Sequence, residues 1–355
     1  MPAGQLTAFF LFDVAEAIDL QLIRAQIDAT QAARIATKPP APTYLQYQQP
    51  PLTVDGAVLG VAEVAGCRTR FKVFDYGVVS VALTRDLPQS WPELLQAGLR
   101  WQDDAELATA AERLCRDLLL RIGPAVQRPR VEFLTEDYFV FSLLPEPEQT
   151  ADALLAAHGS EIAQLLRDER EPLSAQERDE VLRHRISYYA SDMVIATWSS
   201  ALVYDTPAGS GGVLEILEFA NSQLLEFRYY DQLLDIELSR TYARLQKSGW
   251  RQTWIGGRHA RAARQIHALF IDVNELTDKA ENALKVAGDV CAARLFGLAG
   301  ARLGLDQWKG NVREKLKTVD DIYRFAVEQT SMARGEFLEL TIVILIVLEI
   351  VLFLG

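Results

Sequence analysis

Proline divides this sequence in two. All 14 prolines fall at or before Pro207, and none occurs from Ala208 to Gly355. Proline removes a backbone donor and clashes with the preceding helical turn, so a long stretch without it favours helix. The second half is therefore expected to be mainly α-helical, and the first half to hold the strands and turns.

Heptad spacing strengthens that expectation. Leu217, Ala220, Leu224, Phe227, Asp231, Leu234, Leu238, Thr241 and Leu245 alternate by three and four. Ile266, Leu269, Val273, Leu276, Ala280, Ala283, Ala287 and Val290 do the same, as do Val312, Leu316, Val319, Tyr323, Ala326, Thr330 and Ala333. Such stripes bury one face against partner helices and predict a coiled-coil-like, oligomerising domain. The last stripe runs in phase into an apolar stretch, Phe337 to Leu354. At about 1.5 Å per residue that stretch reaches roughly 27 Å, close to a hydrocarbon core of about 30 Å. Arg313, Lys315, Lys317, Arg324 and Arg334 precede it and only Gly355 follows. This asymmetry predicts a single-pass tail anchor in the inner (cytoplasmic) membrane, with the N-terminal bulk in the cytoplasm. Two carboxylates, Glu339 and Glu349, interrupt the run; they would line a pore in an oligomer or bond between helices.

In the first half, Leu6 to Val14 reads as a strand, followed by a helix through Ala15, Ile18, Leu22 and Ile27. Phe71, Val73, Val78, Val79 and Val81, punctuated by Gly66 and Gly77, predict further strands. Ser90-Trp-Pro-Glu93 is a helix start, and a second helix is expected from Asp104 to Ile122. Phe133 to Leu144 reads as a hairpin around Glu136-Asp137. Two breaks, at about residues 38–53 and at Pro145 to Pro172, read as a long loop and a domain junction. The expected organisation is an α+β domain over 1–148, a linker over 149–172, a long-helix oligomerisation domain over 173–336 and a transmembrane helix over 337–354. The fold class is thus an α+β N-terminal domain followed by a mainly α-helical, coiled-coil-like domain ending in a single transmembrane helix.

A net charge of −12 argues against nucleic-acid binding by bulk electrostatics. Cys67, Cys115 and Cys291 share no ligand spacing and read as reduced thiols. Gly209-Ser-Gly-Gly212 lacks the lysine of a phosphate loop and is expected to be a flexible loop opening the next helix. His259 and His267 fit no metal motif, and no nucleophile elbow is present.

Three groups of side chains stand out. Arg228 and Asp231 are i, i+3 on one predicted helix beside Tyr229 and Tyr230; a buried polar network is the main reading, with a ligand site or a solvated pair as alternatives. Lys285 and Asp289, i and i+4, carry the same ambiguity. Arg251, Arg258, Arg261 and Arg264, interleaved with Trp250 and Trp254, form a basic-aromatic patch that would contact lipid headgroups or RNA, or simply open a solvated helix. The third group is the pair Glu339 and Glu349.

Several of these segments together resemble the "required for meiotic nuclear division" family, which has bacterial and mitochondrial members. The residues that carry the likeness are Phe74-Asp-Tyr-Gly-Val-Val79, Glu226-Phe-Arg-Tyr-Tyr-Asp231, Leu284-Lys-Val-Ala-Gly-Asp289 and the closing Leu338-Glu-Leu340 through Leu348-Glu-Ile350. The resemblance implies an anchored, oligomeric protein without established enzymatic activity; its mitochondrial members are associated with the inner membrane and with support of mitochondrial translation. Lacking a presequence and strong basicity, this chain looks like a bacterial member. The expected function is a non-enzymatic, membrane-anchored, homo-oligomeric scaffold, with an ion-conducting or transport assembly as the alternative. It would use no cofactor, metal or small-molecule substrate. Its expected partners are its own copies, membrane lipids and a protein or ribosomal partner recruited through the N-terminal domain.

Overall fold

The apolar N-terminal segment becomes the long central strand of a mixed sheet. A computed structural model of the chain describes residues 4–31, 49–61, 64, 66–147, 149–247, 271, 290–322 and 324. Strand β1 (Gly4–Ile18) extends beyond the expected Val14, so Ala15 and Ile18 are strand residues. Helix α1 (Leu20–Gln31) begins after Asp19, whose carboxylate accepts from the Gln21 and Leu22 amides at 3.0 Å each. Next come β2 (Leu52–Asp55), β3 (Arg68–Val73) and β4 (Val78–Asp86). Helix α2 (Trp91–Gln102) starts at Ser90 as expected, although the serine side chain makes no capping bond. Helix α3 (Ala105–Ile122) is capped by Asp104, which accepts from the Glu106 and Leu107 amides.

The hairpin expected around Glu136-Asp137 is instead one uninterrupted strand, β5 (Val126–Leu143). Two adjacent carboxylates supply neither the glycine nor the asparagine that a tight hairpin turn favours. The stretch expected to be a linker holds helix α4 (Ala151–Arg167), and α5 (Ala175–Arg183) follows it. The short strands β6 (Arg185–Ile186), β7 (Met193–Ala196) and β8 (Ser200–Tyr204) then complete the sheet. Strand order is β2-β3-β4-β1-β5-β8-β7-β6. Every pairing is antiparallel except β5 with β8, between which the chain passes through α4, α5, β6 and β7. The sheet domain therefore runs past residue 148 to Tyr204, beyond the bounds expected of the α+β domain, and its sheet is mixed through the one parallel pair.

Alternation along the strands assigns the two faces of the sheet. Phe10, Phe12, Phe71, Val79, Val81, Phe139 and Phe141 share a core with Leu94, Leu107, Leu118 and Ile162 of the helices. Their neighbours, including Phe9, Leu11, Asp13, Lys72, Ser80, Tyr138 and Val140, point the other way and are also buried. That second face carries helix α6 (Pro207–Lys247), which at about 1.5 Å per residue is roughly 60 Å long. Gly209 to Gly212 lie within its first turns, not in a loop. Every residue from Ile216 to Phe227 is buried. Helix α7 (Val290–Leu303) covers α6 further, with Phe296 and Phe219 rings 5.8 Å apart.

The chain forms two units, Met1–Tyr229 with Leu276–Asp306, and Tyr230–Glu275 with Gln307–Gly355. In the second, residues 305–322 are almost wholly helical, and Leu234, Val312, Leu316 and Val319 are buried. Among the described residues, no helix is long and apolar enough to cross a membrane. The expected architecture ending in a transmembrane helix is corrected accordingly, and the tail anchor and inner-membrane location fall with it. The run 337–354 that prompted them lies outside the described residues. Hydropathy does not by itself separate a spanning helix from a buried one, and the two carboxylates in this run weigh against hydrocarbon.

Candidate functional site

Two segments that stand out in the sequence meet beneath α6. The β3–β4 turn, Phe74 to Gly77, presents Tyr76, whose hydroxyl lies 2.7 Å from Ser222 Oγ and accepts from Gln223 Nε2 at 3.2 Å. Gly77 makes this turn possible. Its φ is +92°, and a Cβ there would lie 1.9 Å from the Ala15 carbonyl oxygen. Burial raises the Tyr76 hydroxyl well above its ordinary range, the Ser222 bond offsets part of this, and the nearby Glu226 charge adds to it.

Buried charge pairs flank this tyrosine. Lys72 lies on β3 between two core residues, Phe71 and Val73, and so faces α6. Its Nζ stands 2.6 Å from Glu218 Oε2, both side chains being almost fully enclosed, and Arg70 lies 3.6 Å from the same oxygen. Burial alone would raise the Glu218 carboxyl; the two cations outweigh it and hold the group below the ordinary carboxylate range. Asp13, fully buried on β1, accepts from Arg130 Nε at 2.7 Å through Oδ1, while Oδ2 has no hydrogen-bond partner. Burial pushes this carboxyl up to about 6 against the pull of Arg130. The Arg130 guanidinium also sits 3.5 Å from the centre of the Tyr229 ring.

Local backbone irregularity creates this arrangement. The β1–β5 register shifts between Asp13 and Ala15, and Arg128 on the facing strand adopts φ of +50° ahead of Pro129. A bulge of this kind re-aims the side chains beside it. Glu136 on β5 pairs with Arg228 of α6; burial raises its pKa, and the arginine opposes the rise.

Of the residues singled out in sequence, Arg228 thus pairs with Glu136, not with Asp231. Asp231 belongs to the second unit, where Lys315 Nζ lies 2.7 Å from both Asp231 and Asp235. Tyr230 is half-buried on α6. Lys285, Asp289, Trp250, Arg251, Trp254, Arg258, Arg261, Arg264, Glu339 and Glu349 lie outside the described residues. Asp13, Lys72, Arg130, Glu136 and Glu218 carry the site and were not singled out. Lys72 and Asp13 had one visible signal, a charge set in an otherwise apolar strand.

Chemically, the arrangement fastens a helix to a sheet. Each cation stands against a carboxylate or an aromatic face, and α6 supplies a polar line of Glu218, Ser222, Glu226 and Tyr229 at helical spacing. Among the described residues, no group of three or more His, Cys, Asp or Glu side chains is placed to hold a metal.

The fold and site define an α/β protein in which a mixed sheet clasps a long, buried polar helix. The chain belongs to the family described as uncharacterized protein MJ0711, N-terminal domain, whose model matches residues 3–210. It is 27% identical over 219 residues to the uncharacterized protein MJ0711 of Methanocaldococcus jannaschii. That match covers 61% of this chain and 65% of the relative, so the chain spans a little under two-thirds of the relative's length. No solved structure matches the chain.

Proposed function

We propose that this chain is a non-enzymatic, homo-oligomeric scaffold that recruits a protein partner through its sheet domain. The supporting observation is how its buried charges are used. Lys72 with Glu218 and Arg228 with Glu136 are engaged in holding α6 to the sheet, and Arg130, paired with Asp13 inside the sheet, reaches the helix through the Tyr229 ring, as expected of a rigid mount. The sheet domain also presents aromatic side chains to solvent. Tyr188 and Tyr189 pack edge to face with centroids 4.7 Å apart, are about two-thirds exposed, and are held on a turn whose amides donate to Asp192. Rigid, exposed tyrosines are common anchors of protein interfaces. The likeness to the meiotic-division family is consistent with oligomerisation. Light scattering on the full chain tests the reading directly. A concentration-independent monomer mass refutes the homo-oligomer, and a retained partner that still binds Tyr188→Ser/Tyr189→Ser with unchanged affinity refutes the recruiting surface.

A further inference from the structure

An open cleft of about 440 Å³ lies on the helix-covered side of the sheet, between the start of α2, the end of β5 and α4. No proposed role so far uses it. One wall is a stacked pair, Trp91 and His158, with ring centres 4.3 Å apart and planes 17° from parallel. His158 has φ −132° and ψ 18°, which interrupts α4 in mid-helix. The floor is tied down by Tyr204, whose hydroxyl accepts from the Glu146 amide at 3.3 Å and lies 3.2 Å from the Gln149 carbonyl oxygen.

The charge of the lining is one-sided. Glu93 and Glu146 face the cleft, and its lining includes no lysine or arginine. The Glu146 charge is close enough to Tyr204 to oppose ionisation of the phenol. The N-terminus of α2 also opens here, but Glu93 in its first turn offsets the positive end of the helix dipole. A flat aromatic wall beside carboxylates matches one kind of cation in particular. A guanidinium is planar, weakly hydrated, stacks on aromatic faces and forks onto carboxylate oxygens; an ammonium does only part of this.

We propose that this cleft binds a guanidinium group, presented by a small molecule or by an arginine side chain of a peptide. The inference does not depend on the scaffold reading, because none of the side chains that carry that reading lines the cleft. Calorimetric titration of the full chain with methylguanidine and with an acetylated, amidated Gly-Arg-Gly peptide tests it. The expected result is saturable binding of at least one probe with a dissociation constant up to about 1 mM, weakened about tenfold in Glu93→Gln/Glu146→Gln. Trp91→Phe is expected to weaken it by a smaller factor, since a ring remains. Binding of the peptide alone assigns the group to a partner chain; binding of methylguanidine as well assigns it to a free cation. The proposal is overturned if neither probe binds, or if the double glutamine variant, folded by circular dichroism, binds both as tightly as the parent.

Discussion

Replacing Glu218 by alanine isolates the pair that holds α6 to β3. Lys72 would then keep its ammonium inside, where its side chain is only 6% exposed, without the carboxylate that stands 2.6 Å away in the parent and with the Glu215 charge left to offset it in part. Removing one partner of a buried pair costs about 3–5 kcal/mol, a large share of a typical total of about 5–15 kcal/mol. With urea slopes of about 1–3 kcal/mol per molar, the unfolding midpoint should fall by at least about 1 M. Lys72→Met should cost less, because Arg70, 3.6 Å from the same carboxylate, stays behind to compensate it. The double change, Lys72→Met with Glu218→Leu, should recover most of the loss, since apolar replacements of buried pairs are often neutral or stabilising by about 1–4 kcal/mol. Urea unfolding of the parent, Lys72→Met, Glu218→Leu and the double change, followed by circular dichroism, closes the cycle, with Glu218→Ala measured beside it. A loss below about 1 kcal/mol for Glu218→Ala, or strictly additive single effects, would refute the claim that this pair is closed off from water. The pH sense is fixed as well. Glu218 is held below its ordinary value, so its contribution is present above that value and disappears as pH falls through the native one.

Three further perturbations probe the same region. Gly77→Ala forces an L side chain into φ of +92° against the Ala15 carbonyl, and thermal melting should show a loss of about 2 kcal/mol or more. Tyr76→Phe strands Gln223 Nε2, while Ser222 keeps its bond to the Phe219 carbonyl, and should cost about 1–3 kcal/mol; a stability equal to the parent's would mean that the lost contacts are replaced by water. Asp13 has a native pKa of about 6 against an ordinary 3.8, so its protonation favours the folded state: the contribution is complete below 3.8 and is lost as pH rises through 6. Asp13→Asn should flatten the stability profile across that window, and an unchanged slope between the two pH values would exclude this carboxyl as the source.

Local signals were legible in the sequence where the physics is local. Asp104 followed by an amphipathic run predicts α3, and the structure caps that helix on the Asp104 carboxylate. The alternation of Phe71, Val73, Val79 and Val81 identifies strands, because period two needs no partner to be visible. Failures occur where a distant residue decides. Glu136 and Asp137 look like a turn until Arg228 arrives from α6 to pair with Glu136, and the strand then runs through. Prolines at 145, 147 and 172 suggest a junction, yet they bracket α4 instead of interrupting it. The site itself was legible only in halves. The Tyr76 turn and the Arg228 segment each stand out, but nothing in either states that the first packs against the helix carrying the second.

The polar character of α6 has a consequence for register. A helix buried on all sides is ordinarily apolar all round, whereas this one encloses Glu218, Asn221, Ser222, Gln223 and Glu226. Buried ion pairs are weak sources of stability compared with apolar packing, and their best-attested use is to select one alignment over others. Here the spacing discriminates sharply. A slide of one turn, about 5.4 Å, would bring Ser222 or Leu214 opposite Lys72 and break the 2.6 Å contact with Glu218. The variant with both Lys72→Met and Glu218→Leu removes that penalty and sets two apolar side chains against each other. It is expected to recover most of the parent's stability in urea while losing uniqueness, with more than one set of amide resonances for residues of α6 and weaker hydrogen-exchange protection around Ser222. One sharp set of resonances, with parent-like protection, would show that apolar packing alone fixes the alignment of α6 and that the charges serve some other end.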